Sequence, residues 1–127
     1  MIEAISQAVV PGYFMSDLAH AVAITDALDG ISILVDTFHA SANGAKAEAF
    51  FRTYRGQIGH VHSADHPGRY EPTGAIAFTP FLDALIAADY RGAVGFEYLP
   101  SRETEAGLCW LAAWKTRLQK GEPALSR

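Results

Sequence analysis

The sequence of 127 residues holds a single cysteine, Cys109. One thiol closes no intramolecular disulfide, and there is no cysteine cluster to hold structural zinc. Basic residues are few, 10 against 14 acidic, which gives a formal charge of −4 and a pI near 5.6. A nucleic-acid partner needs a basic patch that this balance does not supply. No apolar stretch is long enough for a transmembrane helix. Met1, Ile2 and Glu3 open the chain without the basic run of a signal peptide. Charged residues make up 19 % and apolar residues 50 %, with a mean hydropathy of +0.08. That is the composition of a folded chain, and 13.7 kDa is room for one domain. A cytoplasmic protein is the expectation, with neither nucleic acid nor membrane as partner.

Four short apolar runs read as strands: Ile2–Ile5, Ile31–Val35, Ile58–His62 and Ala93–Tyr98. Near-continuous apolar runs suit strands covered on both faces, as in a parallel sheet. A helical segment follows each. Ser16 and Asp17 offer an N-cap, after which Leu18, Ala21, Val22, Thr25 and Leu28 share one face and Gly30 ends the turn. The second helix runs from Lys46 to Tyr54, with Phe50, Phe51 and Tyr54 inward and Gly56 at its end. The third takes Thr79 as cap and Pro80 at its first position, with Leu82, Leu85, Ile86 and Tyr90 inward. The fourth starts near Thr104 and buries Leu108, Leu111, Leu118 and either Trp114 or the stem of Lys115. From Gly121 the tail frays. This β-α-β-α-β-α-β-α order leaves two architectures, an open four-stranded α/β sheet or half of an eight-stranded barrel.

Polar residues recur at the strand ends. Glu3, Asp36, His62 and Glu97 stand 33, 26 and 35 residues apart, one βα unit each. In α/β folds the C-terminal ends of the strands carry the active site. A carboxylate inside an apolar strand such as Gly95-Phe96-Glu97-Tyr98 is costly unless it is paired or metal-bound. Three carboxylates and one imidazole suit Mg²⁺, Mn²⁺ or Co²⁺ better than structural zinc. His39 lies three residues past Asp36. His60 and His62 share a strand face by period two, and His60 reads as a core histidine. Arg69, in the loop Asp65–Pro72, suits a carboxylate or hydroxyl of an anionic substrate.

In order and spacing, Glu3-Ala4-Ile5-Ser6, Pro11-Gly12-Tyr13-Phe14, Val35-Asp36-Thr37-Phe38-His39, Gly59-His60-Val61-His62-Ser63-Ala64-Asp65, Pro67-Gly68-Arg69-Tyr70-Glu71-Pro72 and Gly95-Phe96-Glu97-Tyr98-Leu99-Pro100 resemble the C-terminal half of the hydroxypyruvate isomerases. Those enzymes belong to a xylose isomerase-like TIM-barrel group that also includes ketose 3-epimerases. The resemblance implies that residues 1–120 are half a (β/α)8 barrel, strands five to eight, with 121–127 as a flexible tail. It implies a divalent metal, Mg²⁺, Mn²⁺ or Co²⁺, held by Glu3, Asp36, His62 and Glu97. Glu3 and Glu97 double as the acid/base pair, and His39 and Arg69 contact substrate. The implied reaction, part of carbohydrate metabolism, is an aldose–ketose isomerisation of hydroxypyruvate or a similar short hydroxy-keto acid through an enediolate.

Three features depart from that pattern. His62 stands where hydroxypyruvate isomerases often carry Gln and where the 3-epimerases carry His. Thr73-Gly74-Ala75-Ile76 replaces the usual Gly-Glu-Ile. The first four βα units are absent. A ketose 3-epimerase and a non-catalytic half barrel are therefore the alternative readings. The open edges of a half barrel invite a homo-oligomer or a partner chain that completes it.

Overall fold

The computed structural model describes residues 1–73 and 78–120. Its elements are β1 (Ile2–Glu3), α1 (Leu18–Ala27), β2 (Ile33–Asp36), α2 (Thr37–Ala42), α3 (Ala47–Tyr54) with a 3-10 turn at Arg55–Gln57, β3 (Ile58–His62), α4 (Phe78–Ala87), β4 (Val94–Gly95), α5 (Thr104–Gly107) and α6 (Cys109–Lys120). The strands form one parallel sheet in the order β1-β2-β3-β4. Parallel neighbours joined by helices are the repeating unit of α/β barrels.

One face of the sheet is the core. Ile33, Val35 and Val61 are fully buried there, against Ala21, Phe51, Phe81 and Leu82 from the helices. Phe51 meets Phe81 and Tyr90 edge-on, at ring-centroid distances of 6.0 and 5.7 Å, the arrangement that aromatic quadrupoles favour. The other face stays half-open: Leu34, His60, His62 and Gly95 are only partly buried. Strands covered on both faces were the expectation; the described helices cover one.

The register explains why the polar strand-end residues share that second face. Glu3 pairs with Leu34, Asp36 with His62, and His62 with Gly95. Partners across a ladder point the same way, and so do residues two apart on a strand. Leu34 leads to Asp36 and Gly95 to Glu97, so all four candidates fall on one face. An irregularity between Ile33 and Leu34 supplies the parity. Ile33 faces Ile58 but Leu34 faces His60, so Gly59 is the extra residue of a bulge. Without it, Asp36 would sit opposite Val61 and both histidines would turn into the apolar core.

Several expected boundaries shift. β1 and β4 have two residues each, because the chain leaves the ladder at Ala4 and Phe96 for long loops. α2 is unanticipated; it starts because the Asp36 side chain accepts the Phe38 N–H at 2.8 Å and caps it. Asp17 caps α1 as expected, accepting the His20 N–H at 2.8 Å. Leu28 is the C-cap of α1 and 53 % exposed, so it does not join the inward face. Tyr54 is exposed instead of entering the core, its ring beside that of Phe50, which packs partly against the core. Pro80 is the third residue of α4, still within the first turn where a missing N–H costs nothing. The expected last helix is two: Leu108 caps α5, stays exposed, and α6 begins afterwards. The side chains of Thr79, Trp114 and Leu118 and the tail 121–127 lie outside the described residues. So does the 74–77 segment, with its Ala75.

Candidate active site

Asp36 is the centre of the cluster. Its side chain is fully buried. Oδ1 is committed to capping α2, and Oδ2 faces the site, 3.4 Å from Arg69 Nη2. Burial pushes its carboxyl above the usual range, opposed by the Phe38 N–H and by the His39, Arg69 and His62 side chains.

Around Asp36 stand two overlapping triads. Asp36, His62 and Glu97 place ligand atoms within 4.8 Å of one another, as do Glu3, Asp36 and His39. The first holds three of the four residues expected to bind metal. The second brings in Glu3 and, through His39, a residue expected to touch substrate. His62 Nδ1 lies 3.3 Å from Glu97 Oε2 but out of hydrogen-bonding line, so it is a buried nitrogen without a partner among the described residues. Glu3 Oε1 is a second such atom. The Glu3 carboxyl is pushed up to about 7, first by burial and then by the negative charges of Asp36 and Glu97. A divalent cation would meet both unpaired atoms and the crowding of carboxylates together. The donor set of three carboxylates and an imidazole matches hard or borderline divalent ions. The residues present therefore fit such an ion.

His39 is 3 % exposed. Burial lowers its pKa, so the ring is neutral at ordinary pH. Its Nδ1 accepts the Ser6 N–H at 3.4 Å, which leaves the proton on Nε2. His60 sits next to His62 on the site face, ring centroids 4.9 Å apart. It is half-buried there and absent from the apolar core to which the sequence assigned it. Gly95 follows from the same crowding: a Cβ on it would come within 2.7 Å of His62 Nε2.

Arg69 bridges the cluster. Nη2 is 3.4 Å from Asp36 Oδ2 and 3.2 Å from Glu97 Oε1, and Nε donates to the Glu97 carbonyl at 3.3 Å. The guanidinium lies 5.0 Å from the centre of the Phe38 ring. Its backbone is left-handed, φ 52°. A cleft of about 350 Å³ opens beside it, walled by Val9, Phe38, Pro67 and Leu99, with Arg69 and Glu97 supplying polar groups. A larger cavity of about 630 Å³ lies between α4 and α6, beside Tyr90 and Val94, and holds none of these residues. The chemistry, not the size, marks the smaller one.

Sequence reasoning missed three contributors. Ser6 orients His39 through its backbone. Thr37 ties the ends of β2 and β3 together, its hydroxyl reaching Ser63 Oγ at 3.2 Å and the Ala64 carbonyl at 3.0 Å. Glu71, quoted only as part of a motif, is a buried carboxylate. Of these, only Glu71 carried a signal, as a charged residue next to a proline in a loop already under attention.

The profile of the xylose isomerase-like TIM barrel family matches residues 1–114. The chain belongs to that family. It is 36 % identical over 117 residues to a 2-oxo-tetronate isomerase of Pectobacterium atrosepticum, covering 90 % of this chain and 45 % of that protein. It is 30 % identical over 118 residues to the hydroxypyruvate isomerase of Escherichia coli, covering 91 % and 46 %. Among solved structures, AP endonuclease, family 2 from Brucella melitensis superposes with a TM-score of 0.81 at 30 % identity, over 88 % of this chain and 45 % of that one. An L-ribulose 3-epimerase gives 0.62 at 28 %, over 89 % and 38 %. The chain thus spans about half the length of the curated relatives it matches.

Proposed function

We propose that this chain is strands five to eight of a metal-dependent aldose–ketose isomerase acting on hydroxypyruvate or a similar short hydroxy-keto acid. The observation that carries this is the convergence on Asp36 of Glu3, His62 and Glu97, one from each strand end, with Glu3 Oε1 and His62 Nδ1 buried and unpartnered among the described residues.

Glu3, Asp36, His62 and Glu97 would hold the ion, which as a Lewis acid draws electron density from substrate oxygens. Glu3 on β1 and Glu97 just past the end of β4 both reach Asp36. One would take a proton from a substrate carbon and the other return one to the neighbouring carbon, while the hydroxyl proton passes to the former carbonyl oxygen, which converts ketose to aldose through the enediolate. The neutral His39 presents its Nε2 proton to a substrate oxygen. Arg69 orients the far end of the substrate, and its fork favours a carboxylate there. Val9, Phe38 and Leu99 give the cleft an apolar wall.

An epimerase acting on a ketose is the second reading. His62, and the likeness to an L-ribulose 3-epimerase, favour it. Both readings need the site closed on its open side. The sheet ends at β1 and β4, each without a strand partner on its outer edge among the described residues. A second copy of this chain or a separate chain would supply the other half of the barrel.

The test is solvent-deuterium exchange into hydroxypyruvate and into a ketose, with Mn²⁺, by wild type and Glu97→Gln combined with a segment matching the other half of its relatives. Exchange into hydroxypyruvate that Glu97→Gln abolishes supports the isomerase. Exchange into the ketose alone supports the epimerase. Exchange into neither leaves a non-catalytic half barrel.

A further inference from the structure

Glu97 is the most exposed member of the cluster, its side chain 60 % accessible. It also lies two residues beyond the end of β4, where no ladder holds the backbone. Yet its carboxylate sits within 3.3 Å of both His62 and Arg69. Something else must fix the segment that carries it.

That something is the loop after β3. Ser63 N–H donates to the Gly95 carbonyl at 2.9 Å, Arg69 Nε to the Glu97 carbonyl at 3.3 Å, and Leu99 N–H to the Arg69 carbonyl at 2.8 Å. Ser101 N–H then donates to the Glu71 carboxylate, 3.0 Å from Oε1 and 3.3 Å from Oε2. Alternate residues 95, 97, 99 and 101 are thus stitched to 63, 69 and 71. Three of these contacts use backbone carbonyls. The last ends on a side-chain acceptor, and it closes the row.

We propose that Glu71 is a positioning residue that holds Glu97 at the site by tying the segment 97–101 to the loop bearing Arg69. The proposal rests on reading Glu97 as a site residue. Glu71 is 4 % exposed, and a buried carboxylate is retained only where its oxygens are satisfied. Its own backbone N–H and the Ser101 N–H face the carboxylate, with the charge of Arg102 nearby. These hold its carboxyl below the usual range despite burial. An amide in its place would turn an NH₂ towards donors. Space is closed as well: a Cβ on the buried Gly107 would stand 2.7 Å from Glu71 Oε1, so α5 packs directly on the carboxylate. Glu71 touches no candidate ligand and acts only through the segment it holds.

The experiment compares wild type, Glu71→Gln, Glu97→Gln and the double variant in two measurements. The first is amide hydrogen exchange at Leu99, whose acceptor, the Arg69 carbonyl, is untouched by the substitution. Faster exchange at Leu99 in Glu71→Gln is expected, with the exchange of the β2 and β3 core amides unchanged. The second is Co²⁺ titration followed by the visible spectrum. Glu71→Gln is expected to weaken binding about ten-fold, and the double variant to bind no more weakly than Glu97→Gln alone, because residues acting through one another are not additive. Unchanged Leu99 exchange, or additive losses in the double variant, overturns the proposal. Absence of Co²⁺ binding by wild type overturns the metal reading, and Leu99 exchange then decides the role of Glu71 by itself. If Glu71→Gln does not fold, Glu71→Asp keeps the charge and withdraws the carboxylate from the Ser101 N–H by one methylene. It should give the same pattern at smaller size, and unchanged Leu99 exchange in that variant overturns the proposal equally.

Discussion

At the scale of the residue, Asp36 and Glu3 divide the work. Asp36 spends one oxygen on the Phe38 N–H and keeps the other for the site. Asp36→Ala therefore removes a cap and a ligand at once, whereas His62→Ala removes a ligand alone. Both should weaken Mn²⁺ binding by calorimetry, and only Asp36→Ala should also cost the stability of a helix cap, about 1 kcal/mol. Binding left unchanged by both would sink the metal assignment. Glu3 sets a pH dependence. Its pKa rises from an ordinary 4.5 to about 7 in the fold. Between those values the native state holds a proton that the unfolded chain has released, so the metal-free protein loses stability as pH rises through that window. The denaturation midpoint of the metal-free chain should fall from about pH 4.5 to about 7, and Glu3→Gln should flatten the trend. Metal affinity should move oppositely, rising with pH as the competing proton leaves.

At the scale of the element, the bulge at Gly59 and the bare Gly95 determine how His62 reaches the site. Gly95→Ala puts a methyl against the His62 ring. It should displace the ring and weaken metal binding while leaving the core face, with Val35 and Val61, intact. Loss of Co²⁺ affinity with unchanged far-ultraviolet dichroism is the expected result; unchanged affinity would show that the ring has room to move. These two glycines also show what the sequence could convey. The spacing of Glu3, Asp36, His62 and Glu97 announced one polar residue per βα unit, and alternation put His60 with His62. Parity across strands was not legible, because a one-residue bulge reverses it and an isolated glycine does not announce its pairing. α2 leaves no signal of its own in the sequence: its cap, Asp36, reads equally as a ligand, and six residues are too few for periodicity to show. The end of β4 was overestimated because Phe96 and Tyr98 continue the apolar pattern while their backbone has left the ladder. They pack instead around Trp110, a tertiary contact outside any local window.

At the scale of the molecule, the half-open face sets the condition for everything above. Leu34, His60 and His62 face outward from the sheet with no second layer over them among the described residues. In a closed barrel the same positions point into a packed interior. The edges of β1 and β4 offer unpaired backbone donors and acceptors in parallel orientation, and such edges recruit further strands. We expect this chain to form a dimer, or to bind a separately expressed segment matching the other half of its relatives. Sedimentation should show a species at least twice 13.7 kDa. Apolar-dye binding should be strong in any residual monomer and quenched in the assembly, because Leu34 and the strand edges are covered only there. Metal affinity should rise with assembly, since closing the face removes water from Glu3 and His62. A monodisperse monomer that binds no dye and ignores the complementing segment would show that the described sheet is complete as it stands. The isomerase reading would then lose the second wall that its substrate requires.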